Sequence, residues 1–140
     1  ILSEKQKGFF VDRKGAEEFT SGKIKNFNIK GTPSHTIESL SGGNQQRTLL
    51  ALMRTPLNLL LLEHPTRGLD IESTMDIWTK LKSRCADGTS ILFISSDLDE
   101  ILHYSDRIIV FFGGKVSKAY DATKITVEQL GQLIGGKGWS

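Results

Sequence analysis

The chain has 140 residues, of which 38% are hydrophobic and 24% charged, so it is one domain or less with the composition of a soluble globular protein. A formal net charge of +2 is too small to indicate binding to nucleic acid, and no apolar run approaches the roughly 18 residues needed to cross a bilayer. The single cysteine, Cys85, excludes an internal disulfide, and its spacing predicts a buried structural thiol on the apolar face of a helix.

The N-terminal segment, Ile1–Asn28, is rich in charged and small residues. We expect short helices here, with a loose connection near Gly15 and Gly22. Scattered phenylalanines would anchor them: Phe9, Phe10, Phe19 and Phe27. The next residues, Asn28–Ser39, are expected to form a connector with a turn at Gly31-Thr32-Pro33.

The stretch Leu40–Gln46 places a serine and two glycines before polar residues and then an apolar run. This order predicts a glycine turn that opens a helix over Gln45–Arg54, which ends before Pro56. The first turn of a helix has unpaired N–H groups and a partial positive charge, so it attracts phosphate. Ser41 could cap this helix or donate its hydroxyl to a phosphate oxygen. For Ser-Gly-Gly by itself, an ordinary capped helix is the simpler interpretation.

Two apolar runs, Asn58–Leu62 and Ser90–Ser95, predict strands that are buried on both faces. Between them, Ile71–Ala86 is the clearest helix, because apolar residues recur at steps of three and four and Asp87-Gly88 closes it. The expected apolar stripe of this helix consists of Ile71, Met75, Trp78, Leu81 and Cys85.

The remaining residues continue the alternation of helices and strands. Asp97–Tyr104 predicts a short helix, and its inward residues are Leu98, Ile101 and Leu102. Arg107–Phe112 and Lys115–Tyr120 predict two strands joined by a hairpin turn at Gly113-Gly114. Thr126 is expected to cap a last helix, which Gly135-Gly136 ends. Together these elements indicate an α/β fold with a mostly parallel sheet flanked by helices.

The heptapeptide Leu40–Gln46 resembles the signature motif of ATP-binding-cassette (ABC) ATPases in its LSGGNQQ variant. That variant is typical of the ATPase subunits of bacterial importers for simple sugars and nucleosides. Most ABC proteins have glutamine at the fifth position, where this chain has Asn44. The resemblance extends from about Thr36 to Asp121, with further motifs in the family's order.

The stretch Leu59–Asp70 resembles the Walker B motif and the D-loop that follows it. The family pattern implies that Glu63 stands at the magnesium position and His64 at the position of the catalytic glutamate. Glu63 carries charge on a longer side chain than aspartate, and His64 is not a fixed anion, so both positions are degenerate. The alternative is a strand end with two polar residues facing solvent. Pro65–Asp70 match the family well and favour the Walker B interpretation.

The stretch Ile94–Glu100 resembles the switch region, in which most ABC ATPases place a histidine where this chain has Ser96. Serine is too short to reach the same point. The alternative is a strand-to-helix loop with Ser96 or Asp97 as N-cap, and both interpretations can hold at once. No stretch fits the phosphate-binding Walker A loop, Gly-x4-Gly-Lys-Ser/Thr. The resemblance places that loop upstream of the signature, so it would precede Ile1, and the chain would be a piece of a longer protein.

The resemblance therefore implies a partial P-loop NTPase (ABC cassette) fold, the C-terminal part of a nucleotide-binding domain and specifically of a second cassette. Residues 1–39 would be part of the helical subdomain and connector. Residues 40–140 would be the C-terminal part of the ATPase core. In this family two cassettes face each other, and each ATP lies between one Walker A loop and the other cassette's signature motif.

The same resemblance implies a role for each matching residue. Ser41, Gly42, Gly43 and Asn44 would bind ATP held by a partner cassette. The first three of these residues would contact its γ-phosphate. Asp70 would communicate across the interface as the D-loop residue. Glu63, His64 and Ser96 would form a degenerate catalytic site with Mg²⁺, for which Glu63 is a weak ligand. We also expect Gly43 to lie at an exposed helix start, where a substitution spares the fold.

The implied cofactors are ATP and Mg²⁺, and the implied partners are a second nucleotide-binding cassette, transmembrane permease subunits and, indirectly, a solute-binding protein. Nucleic acid is not expected as a partner. The location would be cytoplasmic, on the inner face of the cell membrane. The solute is a sugar or a nucleoside, with a slight preference for nucleosides. One alternative is a non-catalytic ABC-like interaction or regulatory module. A soluble ABC ATPase of DNA repair or translation is disfavoured by the Asn44 variant.

Overall fold

Five α-helices and six short strands occupy residues 12–139, the part of the chain that the computed structural model describes. The helices are α1 (Arg13–Asn26), α2 (Gly42–Leu52), α3 (Ile71–Ala86), α4 (Leu98–Tyr104) and α5 (Val127–Ile134). The strands are β1 (Leu59–Glu63), β2 (Ser90–Ile94), β3 (Arg107–Ile108), β4 (Phe111–Phe112), β5 (Lys115–Val116) and β6 (Tyr120–Asp121). This mixed order confirms the α/β class. The predicted anchors Phe9 and Phe10 lie outside the described residues.

Helix α1 is one continuous helix that passes through both Gly15 and Gly22, so the predicted loose connection between short helices is wrong. Asp12 caps its start, since the carboxylate accepts a hydrogen bond from the Gly15 N–H at 3.0 Å. A Cβ at position 15 would collide with that carboxylate, so glycine suits the first turn. Lys23 and Lys25 in the last turn complement the helix dipole.

Helix α2 begins at Gly42, three residues before the predicted start, and ends at Leu52, before the predicted end at Arg54. The two glycines therefore belong to the first turn of the helix itself. Met53 takes an extended conformation, which ends the helix ahead of the residue that precedes Pro56. Helix α3 has the predicted bounds.

The buried face of α3 differs from the predicted stripe. Ile71 is 81% exposed and Met75 is 59% exposed, and Cys85 is exposed as well, so its prediction as a buried thiol is wrong. The buried residues of the helix are Ser73, Ile77, Trp78, Leu81 and Arg84. A small polar residue and an arginine replace the expected apolar ones because each has a specific partner on α2.

Strands β1 and β2 pair with each other and run in the same direction. Ser90 N–H donates to the Asn58 carbonyl at 2.9 Å at one end, and His64 N–H donates to the Ile94 carbonyl at 2.8 Å at the other. The prediction that both strands are buried on both faces is wrong for the described residues. Several apolar side chains of this sheet are exposed: Leu59, Leu61, Leu92 and Ile94.

The two predicted C-terminal strands are each broken in two. β4 pairs antiparallel with β5 around the glycine turn, where Gly113 and Gly114 have φ angles of 55° and 75°. β3 pairs antiparallel with β6. Between these pairs Ser117 interrupts the ladder, because its hydroxyl accepts the Val110 N–H at 2.9 Å.

Helix α5 starts with the predicted cap at Thr126, which forms a capping box with Gln129. The helix buries Leu130 and Leu133 in a cluster with Ile108, Val110 and Ala122. The predicted inward residues of α4 pack against the same cluster: Leu98, Ile101 and Leu102. A local core therefore holds α4, α5, β3 and β6 together.

The chain divides into two compact units. Within the described residues, the first comprises residues 12–61 and 65–92, and the second comprises residues 62–64 and 93–139. Helices α1, α2 and α3 all lie in the first unit, and the division between residues 39 and 40 stays a prediction. Among the described residues, no helix is long and apolar enough to cross a membrane.

Candidate functional site

The start of α2 is organised by a buried asparagine. Asn44 is only 5% exposed, and both ends of its side-chain amide are engaged. The amide oxygen accepts the Lys30 N–H at 2.8 Å, and the amide nitrogen donates to the Ser41 hydroxyl at 2.8 Å. Asn44 therefore ties the beginning of α2 to the segment that follows α1.

Ser41 occupies the N-cap position of α2 but does not cap the helix with its side chain. In the other four α-helices described here, the N-cap side chain accepts a backbone N–H of the first turn, from Asp12, Asp70, Asp97 or Thr126. Ser41 is exposed, and its oxygen accepts only from Asn44 within the described residues. In the described part of the chain, the first-turn N–H groups of α2 therefore have no side-chain cap, which suits an anion.

The two signature glycines have different surroundings. A Cβ added to Gly42 would make an ordinary contact with Leu69 at 3.8 Å. A Cβ added to Gly43 would approach the Ser73 hydroxyl oxygen to 2.9 Å and the Ser73 Cβ to 3.3 Å. Ser73 is buried, so it cannot easily move away. The expectation that Gly43 lies at an open helix start is therefore wrong: its missing side chain lets α2 pack closely on α3.

Both carboxylate oxygens of Asp70 accept hydrogen bonds from Ser73. One oxygen accepts the Ser73 N–H at 2.8 Å, and the other accepts the Ser73 hydroxyl at 2.9 Å. These hydrogen bonds hold the pKa of Asp70 below its ordinary value. The preceding turn contains Gly68 with a φ angle of 74°, which glycine adopts without strain. Ser73 thus connects the D-loop position Asp70 with the signature residue Gly43.

Beyond the first turn of α2, Arg47 and Arg84 connect α2 with α3 through hydrogen bonds. Arg47, which is 7% exposed, donates to Asp76 at 2.7 Å, and Lys80 approaches the other oxygen of Asp76 at 3.2 Å. Burial opposes ionisation of Asp76, but the hydrogen bonds from Arg47 and Lys80 prevail and lower its pKa. At the end of α2, Arg84 donates to the Leu50 carbonyl at 2.8 Å, which satisfies a terminal helix acceptor.

Sequence reasoning missed four residues that support this site: Lys30, Arg47, Ser73 and Asp76. One signal was available, because an aspartate three residues before a serine at a helix start is an N-cap pattern. Burial of Arg47 and Ser73 had no such signal, since both residue types are usually exposed unless paired.

The Walker B positions Glu63 and His64 follow the end of β1. Glu63 is exposed, and neither side chain makes a hydrogen bond or ion pair within residues 12–139. His64 has a φ angle of 46°, a left-handed conformation that is uncommon for a residue other than glycine. No group of three histidine, cysteine, aspartate or glutamate residues in the described part of the chain could hold a metal. These residues alone do not make a magnesium site, so we assign no step to Mg²⁺.

The switch position, Ser96, is also exposed, and no hydrogen bond fixes its side chain within the described residues. Its neighbours are the ones engaged: Ser95 accepts the Asp97 N–H at 3.1 Å, and Asp97 caps α4 by accepting the Glu100 N–H at 3.1 Å. The structure therefore brings Ser41, Gly42, Gly43, Asn44 and Asp70 together in the first unit. Glu63, His64 and Ser96 belong to the second unit.

The chain is similar to sugar-import proteins over most of its length. It is 37% identical over 124 residues to the ribose import ATP-binding protein of Rhodopirellula baltica, covering 86% of this chain and 24% of that protein. It is 39% identical over 132 residues to the xylose import ATP-binding protein of Ralstonia nicotianae, covering 92% of this chain and 26% of that protein. The chain thus spans about a quarter of the length of these relatives. No protein-family model matches it.

Solved structures agree with the sequence relatives. A dimeric ATP-binding cassette in a post-hydrolysis state, bound to ADP and phosphate, aligns with a TM-score of 0.66 and 25% identity over 86% of this chain and 53% of that one. An ABC transporter of the metal-chelate type in an inward-facing conformation aligns with a TM-score of 0.72 and 18% identity over 95% of this chain and 54% of that one. The fold is that of the ABC cassette, a P-loop NTPase fold, and the chain belongs to the family of ABC transporter ATP-binding proteins.

Proposed function

We propose that this chain is part of the ATP-binding subunit that powers an ABC importer for a sugar, and that it completes the site of an ATP held by a partner cassette. The observation that carries the proposal is the start of α2. Ser41 is exposed and does not cap its own helix, while Asn44 holds it in place. The chain has a signature motif but no Walker A loop, so the nucleotide would be held mainly by the partner.

In this proposal the residues of the first helical turn act on the phosphate directly. The Ser41 hydroxyl donates to a γ-phosphate oxygen, and the backbone N–H groups of Gly42 and Gly43 face the same anion. Asn44 and Asp70 act through their neighbours, because Asn44 holds Ser41 and Asp70 holds Ser73. ATP, when bound, would supply the γ-phosphoryl group that is transferred to water, with ADP as the leaving group. Glu63, His64 and Ser96 would belong to a second, degenerate ATP site, for which Walker A on this polypeptide would be needed.

The relatives support the identity of the partners. Two of them are named as import ATP-binding proteins for ribose and xylose, and a structural neighbour is a cassette dimer with ADP and phosphate. We therefore infer a second cassette, transmembrane permease subunits and, indirectly, a solute-binding protein as partners. The subunit would lie on the cytoplasmic face of the membrane. We propose a sugar as the solute, and no longer prefer a nucleoside, because these relatives are named for ribose and xylose.

The first test uses the chain by itself. Without a Walker A loop, the 140-residue chain should neither hydrolyse ATP nor bind Mg-ATP with micromolar affinity in calorimetric titration. The complete ribose import ATP-binding protein of Rhodopirellula baltica serves as the positive control under the same conditions. Micromolar binding by the isolated chain would contradict the proposed division of the site.

The second test uses the complete polypeptide that carries this chain. Ser41→Ala should lower steady-state ATP turnover by about tenfold or more, because a hydrogen bond to a charged group is lost. Ser39→Ala is the matched control: it removes an exposed hydroxyl two residues away that donates only to the Thr36 carbonyl. Equal turnover in both variants would contradict the proposed function and favour a non-catalytic interaction or regulatory module. Glu63 and Ser96 are exposed, and their side chains make no hydrogen bond or ion pair within residues 12–139, which keeps this module as the alternative.

A further inference from the structure

The inference concerns the fifth signature residue and rests on the proposed function of the signature motif. We propose that Asn44 is a positioning residue that keeps the Ser41 hydroxyl available as a hydrogen-bond donor to the phosphate of ATP. Asn44 does not touch the nucleotide. Its side-chain amide donates to the Ser41 oxygen, and the Ser41 hydrogen is left free to donate to the nucleotide.

The orientation of the Asn44 amide is fixed by a group that cannot change its role. The Lys30 backbone N–H can only donate, so the atom of Asn44 that lies 2.8 Å away must be the amide oxygen. The amide NH₂ group therefore faces Ser41, and the Ser41 oxygen must act as acceptor over the 2.8 Å contact. Burial of Asn44 excludes water as an easy substitute for either bond.

A serine hydroxyl has one hydrogen to donate and two lone pairs to accept with. Asn44 uses one lone pair and leaves the hydrogen free to point away from the protein. At a typical N-cap, the serine oxygen instead accepts a backbone N–H of its own helix. In α2 that arrangement is absent, so within residues 12–139 the first-turn N–H groups and the Ser41 O–H have no side-chain partner and are available as donors. Asn44 thereby converts a capping residue into part of an anion site.

Two substitutions separate this role from simple packing. Asn44→Asp has almost the same shape and keeps an acceptor for Lys30, but its second oxygen would accept the Ser41 hydrogen. The polarity of the contact is then reversed, and Ser41 can no longer donate to phosphate. Asn44→Ala removes both bonds without adding charge and frees Ser41 to cap the helix. Both variants should lower ATP turnover, whereas a packing role predicts a large loss only for alanine.

The test is a double-mutant cycle in the complete polypeptide, with each Asn44 variant made alone and together with Ser41→Ala. We expect either Asn44 variant to lower kcat about tenfold to a hundredfold with little change in the KM for ATP. In the Ser41→Ala background, the same Asn44 variants should lower kcat by less than about threefold further. The thermal midpoint of every variant is measured in parallel, and the neutral Asn44→Ala replaces Asn44→Asp if the buried charge prevents folding.

The outcomes distinguish this inference from the proposed function on which it rests. Full activity of Ser41→Ala would overturn the proposed function itself. A Ser41 effect combined with independent, multiplicative Asn44 effects would leave the function standing and overturn the positioning role. Full activity of Asn44→Asp would also overturn the positioning role and leave the proposed function standing. A charge effect of Asn44→Asp that bypasses Ser41 would persist in the Ser41→Ala background, which also contradicts the inference.

Discussion

The start of α2 and the turn after β1 both carry motif residues, but their surroundings are opposite. At the start of α2, Asn44 is buried between Lys30 and Ser41, and Gly43 lies against a serine that Asp70 holds on two sides. After β1, Glu63 is exposed, and its side chain has no hydrogen bond or ion pair within residues 12–139. Preorganised donors stabilise a transition state because they need no rearrangement during the reaction. The difference teaches that hydrogen bonds and packing fix the geometry of the first motif, whereas the described residues provide no such contacts for Glu63 in the second.

The largest effect should come from Gly43. In the complete polypeptide, Gly43→Asp places a negative charge beside the phosphate and a side chain against Ser73, so turnover should fall about a hundredfold or more. Because a Cβ at this position needs a shift of the buried Ser73, the thermal midpoint should fall as well. The steady-state ATPase rate and thermal unfolding measure the two effects.

Gly42→Ala is the matched control for the packing part of that prediction. Its Cβ would have an ordinary 3.8 Å contact with Leu69, so the thermal midpoint should hold or rise slightly. Gly43→Ala should lower the midpoint. If the two alanine variants unfold at the same temperature, close packing of α2 on α3 does not explain the glycine at position 43.

A smaller effect is expected from restoring the degenerate positions. Glu63→Asp combined with His64→Glu should raise ATP turnover of the complete polypeptide less than twofold, about 0.4 kcal/mol in the barrier. The small gain is expected because Ser96 would still be too short for the switch role. Adding Ser96→His should raise turnover further. A doubling by the first two changes alone would show that the switch position matters less than proposed.

The smallest effect is a change in acid stability. The lowered pKa of Asp70 means that the folded state favours the carboxylate more than the unfolded state does. Its stabilisation is therefore present above the ordinary value of 3.8 and is lost as the pH falls through the lower, folded-state value. Asp70→Asn should destabilise the chain at pH 7 and flatten the fall in stability below pH 3.8. Chemical denaturation at pH 7 and at several acid pH values measures this.

Asp121 is a useful reference for the acid measurement, because Thr123 and Lys124 lower its pKa to about 2. It lies in the second unit and outside the proposed site. Asp121→Asn should flatten the pH dependence between 3.8 and about 2 without changing ATP turnover. If Asp121→Asn lowered ATP turnover, Asp121 could not serve as a reference outside the proposed site.

The sequence predicted the bounds, caps and turns of those elements that are defined by residues close together in the chain. The bounds of α3, the Thr126 cap of α5 and the glycine turn at positions 113–114 follow from residues close together in the chain, and the structure has all three. Burial was harder to predict, because it depends on distant partners. Ser73 is buried since Gly43 leaves it room, whereas Met75 is exposed despite its apolar character.

The candidate site shows the same limit. Ser41, Gly42 and Gly43 could be selected from a short motif, and the structure places them at a helix start without a side-chain cap. The role of Asn44 as a link to Lys30 could not be predicted, because the two residues are 14 positions apart and the contact involves a backbone N–H. Polar residues that are buried by pairing give no hydrophobic pattern for a sequence analysis to detect.

The three contacts between α2 and α3 also have a mechanical consequence. Gly43 meets Ser73 near one end, Arg47 bonds to Asp76 in the middle, and Arg84 bonds to the Leu50 carbonyl at the other end. Sliding or rotating one helix along the other would break a charged hydrogen bond or force a steric collision. The three contacts therefore fix the register of α2 on α3, and Ser41 lies immediately before the first turn of the helix that they hold.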